Sequence, residues 1–144
     1  NLYATHQNLF SKIIEAKNLE ELYLIFEVSA SSYWDTHFTF GKESKRSKQI
    51  LTKKFIDLLI INSVLPIKFY YAKHIGKTID DEIIKIISKI KREENSIINN
   101  FNKLGLKVSN ALESQSILQL YNDYCTKNKC LQCAIGNKLL KENS

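Results

Sequence analysis

Thr78-Ile79-Asp80-Asp81-Glu82-Ile83-Ile84-Lys85-Ile86-Ile87-Ser88-Lys89-Ile90 decides the fold class. Ile79, Ile83, Ile86, Ile87 and Ile90 recur every three or four positions, which lines them along one side of a helix. Asp80 and Asp81 fall in the first turn, where carboxylates favour the positive end of the helix dipole, and Thr78 is placed to cap it. Outward from this stripe the same period continues. Ile97, Ile98, Phe101 and Leu104 form a further helical face stopped by Gly105, and Asn110 with Glu113 makes a capping box for the next helix. That helix is expected to turn Leu112, Leu120, Tyr121 and Tyr124 inward. A turn over Cys125 to Cys130 and a terminal helix, Leu131 to Leu140, follow, with the tail from Lys141 expected to fray.

Toward the N-terminus, Ile50 to Leu65 is the most apolar helix. Pro66 is expected to kink or restart it, since proline lacks the N–H and clashes with the preceding turn. Ile67 to Ile75 then forms a separate helix ending at Gly76. Residues Leu2 to Ala16 read as the first helix, and Asn18 with Glu21 as a second capping box, ahead of Leu22, Ile25 and Phe26. Between them, Tyr33 to Gln49 reads as an irregular or short-helical segment ending in an exposed basic loop. No segment alternates with period two for long enough to make a strand, so the expected fold is all-α, a single-core array of about seven or eight helices without a sheet. Four glycines and one proline agree, because a β-sandwich or barrel needs many more turn residues.

The 144 residues suit one domain, and 44% hydrophobic with 25% charged residues argues against disorder. The chain opens at Asn1 and contains no methionine, from which a fragment of a longer protein, with an upstream half missing, is expected. The most apolar run, Phe55 to Leu65, carries Asp57 and Asn62, short of the ~18 uncharged residues of a membrane span, so no membrane partner is expected. All three cysteines lie between Cys125 and Cys133, unlike a secreted disulfide scaffold, which points to a reducing cytoplasm.

The cysteine spacing, Cys125-x4-Cys130-x2-Cys133, is the sharpest local chemical signal. Thiols brought this close can hold Zn²⁺ at ~2.3 Å per bond, or provide three of the four ligands of a plant-type [2Fe–2S] cluster. His37 is the fourth candidate ligand within the chain. Two other readings stand beside metal: thiols packed as small hydrophobes, and a redox pair at Cys130 and Cys133, although no thioredoxin-like strand pattern surrounds it. In either a metal centre or a packed one, the three sulfurs are expected in one pocket walled by Tyr124, Leu131 and Ile135.

Tyr33, Trp34 and His37 have the spacing of a packed aromatic corner with a hydrogen-bonded imidazole, or of a base- or phosphate-binding site. The excess of 21 Lys and Arg over 15 Asp and Glu gives a net charge of +6. Its clusters are Lys42, Lys45, Arg46 and Lys48 with Lys53 and Lys54, and Lys85, Lys89, Lys91 and Arg92, of which Lys85 and Lys89 at i, i+4 are a like-charge pair that a phosphate backbone relieves. A lysine-rich solvated surface explains the same charge. The pairs Asp80-Asp81 and Glu93-Glu94 read as cap or solvent chemistry, since adjacent helical carboxylates point ~100° apart. There is no Gly-rich phosphate loop, Gly-x-Ser-x-Gly elbow or His-Glu-x-x-His motif.

The ordered set Ser32-Tyr33-Trp34-x2-His37-Phe38-x-Phe40-Gly41, Ile61-Asn62-x3-Pro66, Glu94-Asn95, Ser114-Gln115 and Tyr124-Cys125-x4-Cys130-Leu131-x-Cys133-x-Ile135-Gly136 resembles a bacterial family known as domain of unknown function 2851. The resemblance covers nearly the whole chain, and its last motif is the most specific. It implies a helical C-terminal part following a β-rich half similar to restriction-endonuclease-type nuclease cores. No catalytic residue carries over, because that half is not in these residues. Three functions follow as expectations: an accessory module touching nucleic acid through its basic face, a purely structural domain packing on the upstream half or on another copy of itself, and an enzyme using the cysteines.

Overall fold

Asn18, Asn95 and Asn110 each start a helix by the same bond. Their side-chain oxygens accept the N–H three residues on, from Glu21 at 2.9 Å, Ile98 at 2.9 Å and Glu113 at 3.0 Å. The Glu21 carboxylate in turn accepts the Lys17 N–H at 2.8 Å, and that of Glu113 the Ser109 N–H at 2.7 Å, so both expected reciprocal caps form, with the returning bond one residue ahead of the cap. The computed structural model describes Leu2 and residues 7–142. The expected first helix therefore lies partly outside the described residues, as does the tail beyond Glu142.

Seven helices are present among the described residues: α1 Leu9–Glu15, α2 Leu19–Phe26, α3 Lys53–His74, α4 Asp80–Lys89, α5 Ser96–Lys103, α6 Ala111–Leu120 with a π turn Tyr121–Cys125, and α7 Ala134–Glu142. The fold is all-α but for one small hairpin, β1 His37–Thr39 and β2 Lys42–Glu43, paired antiparallel. That hairpin corrects the expectation of no sheet: its strands are too short to show a period in sequence.

Two compact units are distinguished along the chain, Asn1–Ile86 and Ile87–Ser144. In the first, Leu19, Leu22, Ile25 and Phe26 are the buried face of α2, and Ile56, Ile60, Ile61, Val64 and Leu65 that of α3. By length and composition α3 could cross a membrane, but such a helix is equally the core helix of a folded domain, and these side chains are buried within protein. Pro66 does not split α3. The widened π turn Ile60–Val64 immediately precedes it, and that change of hydrogen-bond ladder accommodates a residue with no N–H to give. The Tyr23 hydroxyl donates to Asp57 at 2.5 Å, tying α2 to α3.

Lys68 completes this unit. It is 2% exposed, and its ammonium donates to the carbonyls of Ile13, Ile14 and Ala16 at 3.1, 2.8 and 2.7 Å while pairing with Glu82 at 3.2 Å. The last carbonyls of a helix have no partner within it and carry the negative end of its dipole. One cation therefore closes the end of α1 and joins α3 to α4.

In the second unit Ile98, Val108 and Ile117 form the buried cluster, covered by Ile97, Phe101, Leu118 and Leu120. Leu104, expected on that face, is 82% exposed, because it is the cap residue where α5 already turns away. Gly105 follows at φ +90°, a region open to glycine, and its N–H bonds Asn102 O while the Leu106 N–H bonds Phe101 O. The fully buried face of α6 is Ala111, Ser114 and Ile117, and of the larger residues expected inward Leu120 packs against the cluster from its edge. Small residues are needed there because the segment before α5 comes close. Ala111 N–H bonds Ile90 O at 2.9 Å, and the Ser114 hydroxyl accepts the Glu93 N–H at 3.0 Å. Gln115 adds a bond to the Glu93 carboxylate, so Glu93 is not the free solvent group expected.

Candidate nucleic-acid interface

The segment from Ala30 to Ile50 folds back on itself. Below the hairpin, the Ser44 N–H bonds Thr36 O at 2.7 Å, the Ser47 N–H bonds Asp35 O at 2.7 Å, and the Ala30 N–H bonds Gln49 O at 2.9 Å. The basic stretch is therefore not a loose loop. Its backbone is zipped to residues 30–36, and Lys42, Lys45, Arg46 and Lys48 project from it, all exposed. Lys53 and Lys54, also exposed, open α3 just beyond, with the Lys53 ammonium 4.9 Å from the centre of the Tyr23 ring. Against these six cations residues 30–54 contain only Asp35 and Glu43.

Tyr33, Trp34 and His37 come together at the base of the hairpin. The Tyr33 ring stacks on the His37 imidazole at 4.0 Å and 11°, and stands edge-on to Trp34 at 5.2 Å. His37 Nδ1 lies 2.9 Å from Tyr33 O and 3.0 Å from Thr36 Oγ1. The hairpin turns through Phe40-Gly41, and the Gly41 N–H donates to the Tyr33 hydroxyl at 3.0 Å. Phe40 meets Trp34 edge-on at 5.0 Å yet is 82% exposed, and Phe38 is 66% exposed. Sequence reasoning named Tyr33, Trp34 and His37 as site candidates and met Phe38 and Phe40 only within the family motif; the place of Phe40 on a turn next to Gly41 was the available signal. Lys85 and Lys89 are exposed on α4, one turn apart.

The cysteines do not gather as expected. Cys125 ends α6 as expected, but α7 opens only at Ala134, so Cys133 precedes the helix it was expected to help open; Cys125 and Cys130 are exposed and Cys133 alone is buried. Among the described residues no three His, Cys, Asp or Glu side chains are grouped to hold a metal ion, so Cys125, Cys130, Cys133 and His37 are not assembled into a site. The reason lies in the turn. Asn128 takes a left-handed φ of 52°, with Asn128 N–H bonded to Cys125 O and Lys129 N–H to Tyr124 O, which closes α6 and redirects the chain. A 3₁₀ turn Cys130–Gln132 follows, and Leu131 and Ile135, the expected walls, face solvent. Gly136 then presses on Cys130: a Cβ there would stand 2.5 Å from its carbonyl oxygen. What this corner displays is close backbone packing of Gly136 on Cys130, beside one buried thiol, Cys133.

A second surface feature lies between α1 and α3, where Phe10, Pro66, Ile67, Tyr70, Tyr71 and His74 line an apolar groove of about 370 Å³. Phe10 meets Tyr71 edge-on at 5.3 Å, and Tyr70 is 74% exposed.

Among known proteins, the family model described as "Protein of unknown function (DUF2851)" matches residues 1–96. That span contains the hairpin, the basic stretch, Pro66 and Lys68, and stops short of Ser114 and the cysteines. No curated protein and no solved structure matches the chain. With two thirds of its length under the family model, the chain belongs to the DUF2851 family.

Proposed function

We propose that this chain is a helical accessory domain of a nuclease-like protein and contacts nucleic acid through its basic face. One observation carries the reading. Residues 42–48 display four exposed cations from a backbone bonded along its length to the aromatic corner. A bonded backbone keeps the points of attachment of these cations in place, and each phosphate they neutralise releases condensed counterions. Lys53 and Lys54 extend the same run. The nuclease-like context rests on the family resemblance, and on this reading the cleavage chemistry belongs to a β-rich region upstream, in the cytoplasm.

The test is binding of a DNA duplex across a salt series. Phosphate binding predicts a log–log slope of about −0.9 for each phosphate neutralised. The combined variant Lys42→Ala, Lys45→Ala, Arg46→Ala, Lys48→Ala should flatten that slope by about one for each cation that had held a phosphate. Affinity that ignores salt, or ignores these substitutions, contradicts the reading.

The apolar groove beside Tyr70 favours a second reading, in which the domain packs on the upstream region or on another copy of itself. Tyr70→Asp should then release the partner while leaving DNA affinity unchanged, as followed by sedimentation of the longer protein.

A further inference from the structure

We infer that the hairpin tip is a stacking platform for unpaired bases, so that the nucleic acid bound here is single-stranded where it crosses residues 38–41. This deepens the binding reading above and rests on it. Phe38 and Phe40 are large apolar side chains held out at 66% and 82% exposure, which costs solvation and contributes little to the core. Phe40 is nevertheless held in place. Phe40 lies edge-on against Trp34 at 5.0 Å and tilted against Tyr33 at 6.1 Å, and the turn beneath it is pinned by the Gly41 N–H on the Tyr33 hydroxyl. A ring fixed from behind and bare in front offers a π-face at small cost in side-chain freedom.

What occupies that face is indicated by the charges around it. Lys42 follows directly, and Lys45, Arg46 and Lys48 stand on the stretch whose backbone is bonded to the same corner. An apolar protein partner would have to bury these cations, whereas a nucleic-acid strand satisfies both halves at once, phosphates on the lysines and bases on the rings. A duplex keeps its bases stacked inside and has no free π-face for the tip. Unpaired bases do.

Fluorescence anisotropy of the whole chain with oligothymidylate and with a duplex of equal length, at low salt, tests this. The wild-type chain should prefer the single strand. Phe38→Ala with Phe40→Ala should weaken single-strand binding roughly 5- to 100-fold, with duplex affinity and salt slope unchanged. Phe40→Trp should keep the single-strand affinity, because the ring is retained. Both positions are exposed, so folding is checked simply by an unchanged helical circular dichroism signal. If the alanine pair leaves single-strand affinity intact, or lowers single-strand and duplex affinity alike, the platform is wrong while the basic-face reading survives. If the wild-type chain binds neither probe, the basic-face reading itself fails, and the platform with it.

Discussion

Lys68 and the Phe38–Phe40 hairpin tip make opposite use of their side chains. The lysine is a charged residue taken out of water, and the rings are apolar residues left in it. Lys68 is buried with all its hydrogen-bonding capacity engaged, on three carbonyls and Glu82. Burying a charge is tolerable only when it is paired in this way, so Lys68 belongs to the architecture and has nothing left for a ligand. The hairpin tip leaves ring faces unused beside cations that project from a fixed backbone. The lesson is that a residue's chemical type does not say which role it plays. Whether its binding capacity is consumed inside the fold does.

The sharpest way to break this contrast is Lys68→Met. Three carbonyls and the Glu82 carboxylate then go without their shared partner, and the cost should be about 3–5 kcal/mol, read by urea denaturation. A change below about 1 kcal/mol would show that Lys68 is not holding α1 to α3. Next in size is Gly136→Ala. Alanine normally gains up to ~1 kcal/mol over glycine in a helix, but here its Cβ would meet the Cys130 carbonyl, so a net destabilisation of about 1–3 kcal/mol is expected. A stabilised variant would place α7 elsewhere.

A pH series probes a second polar group whose capacity is consumed, though at the surface. The Ser109 backbone and hydroxyl hold the Glu113 carboxyl below its ordinary value. A lowered folded pKa means that stability is present above the unfolded value, near 4.5, and is lost as pH falls through the lower folded value. Acid titration should therefore destabilise the wild-type chain more than Glu113→Gln in that range, and parallel curves would refute the assignment. The smallest effect is expected at the tip: Phe40→Ala should change stability by less than about 0.5 kcal/mol, as for other exposed sites.

These cases also show why some features could be read from sequence and others could not. Asn18 with Glu21, Asn110 with Glu113, and Gly105 were legible because each motif closes within six residues. The isoleucine stripe of α4 was legible because burial repeats with the helix period. Pro66 misled, because the π turn that accommodates it has no composition of its own. Lys68 looked like any surface lysine, and its partners on α1 lie 52 to 55 residues away. The one hint was its position on the stripe Ile61, Val64 or Leu65, and Ala72, where an apolar residue belongs. The cysteine spacing was read as convergence, but a left-handed Asn128 and a 3₁₀ turn set the direction of each thiol. At the candidate interface the cations were legible, while their attachment to the aromatic corner needed backbone bonds that only folding makes.

The central claim, that the aromatic corner and basic stretch form one binding surface, is tested most directly by the emission of Trp34, the sole tryptophan of the chain. Its ring lies 5.0 Å from Phe40, inside the surface in question. Titration with oligothymidylate at low salt should quench that emission along the same curve that anisotropy of the labelled strand follows. A strand that binds by anisotropy while Trp34 emission stays constant would contradict the account.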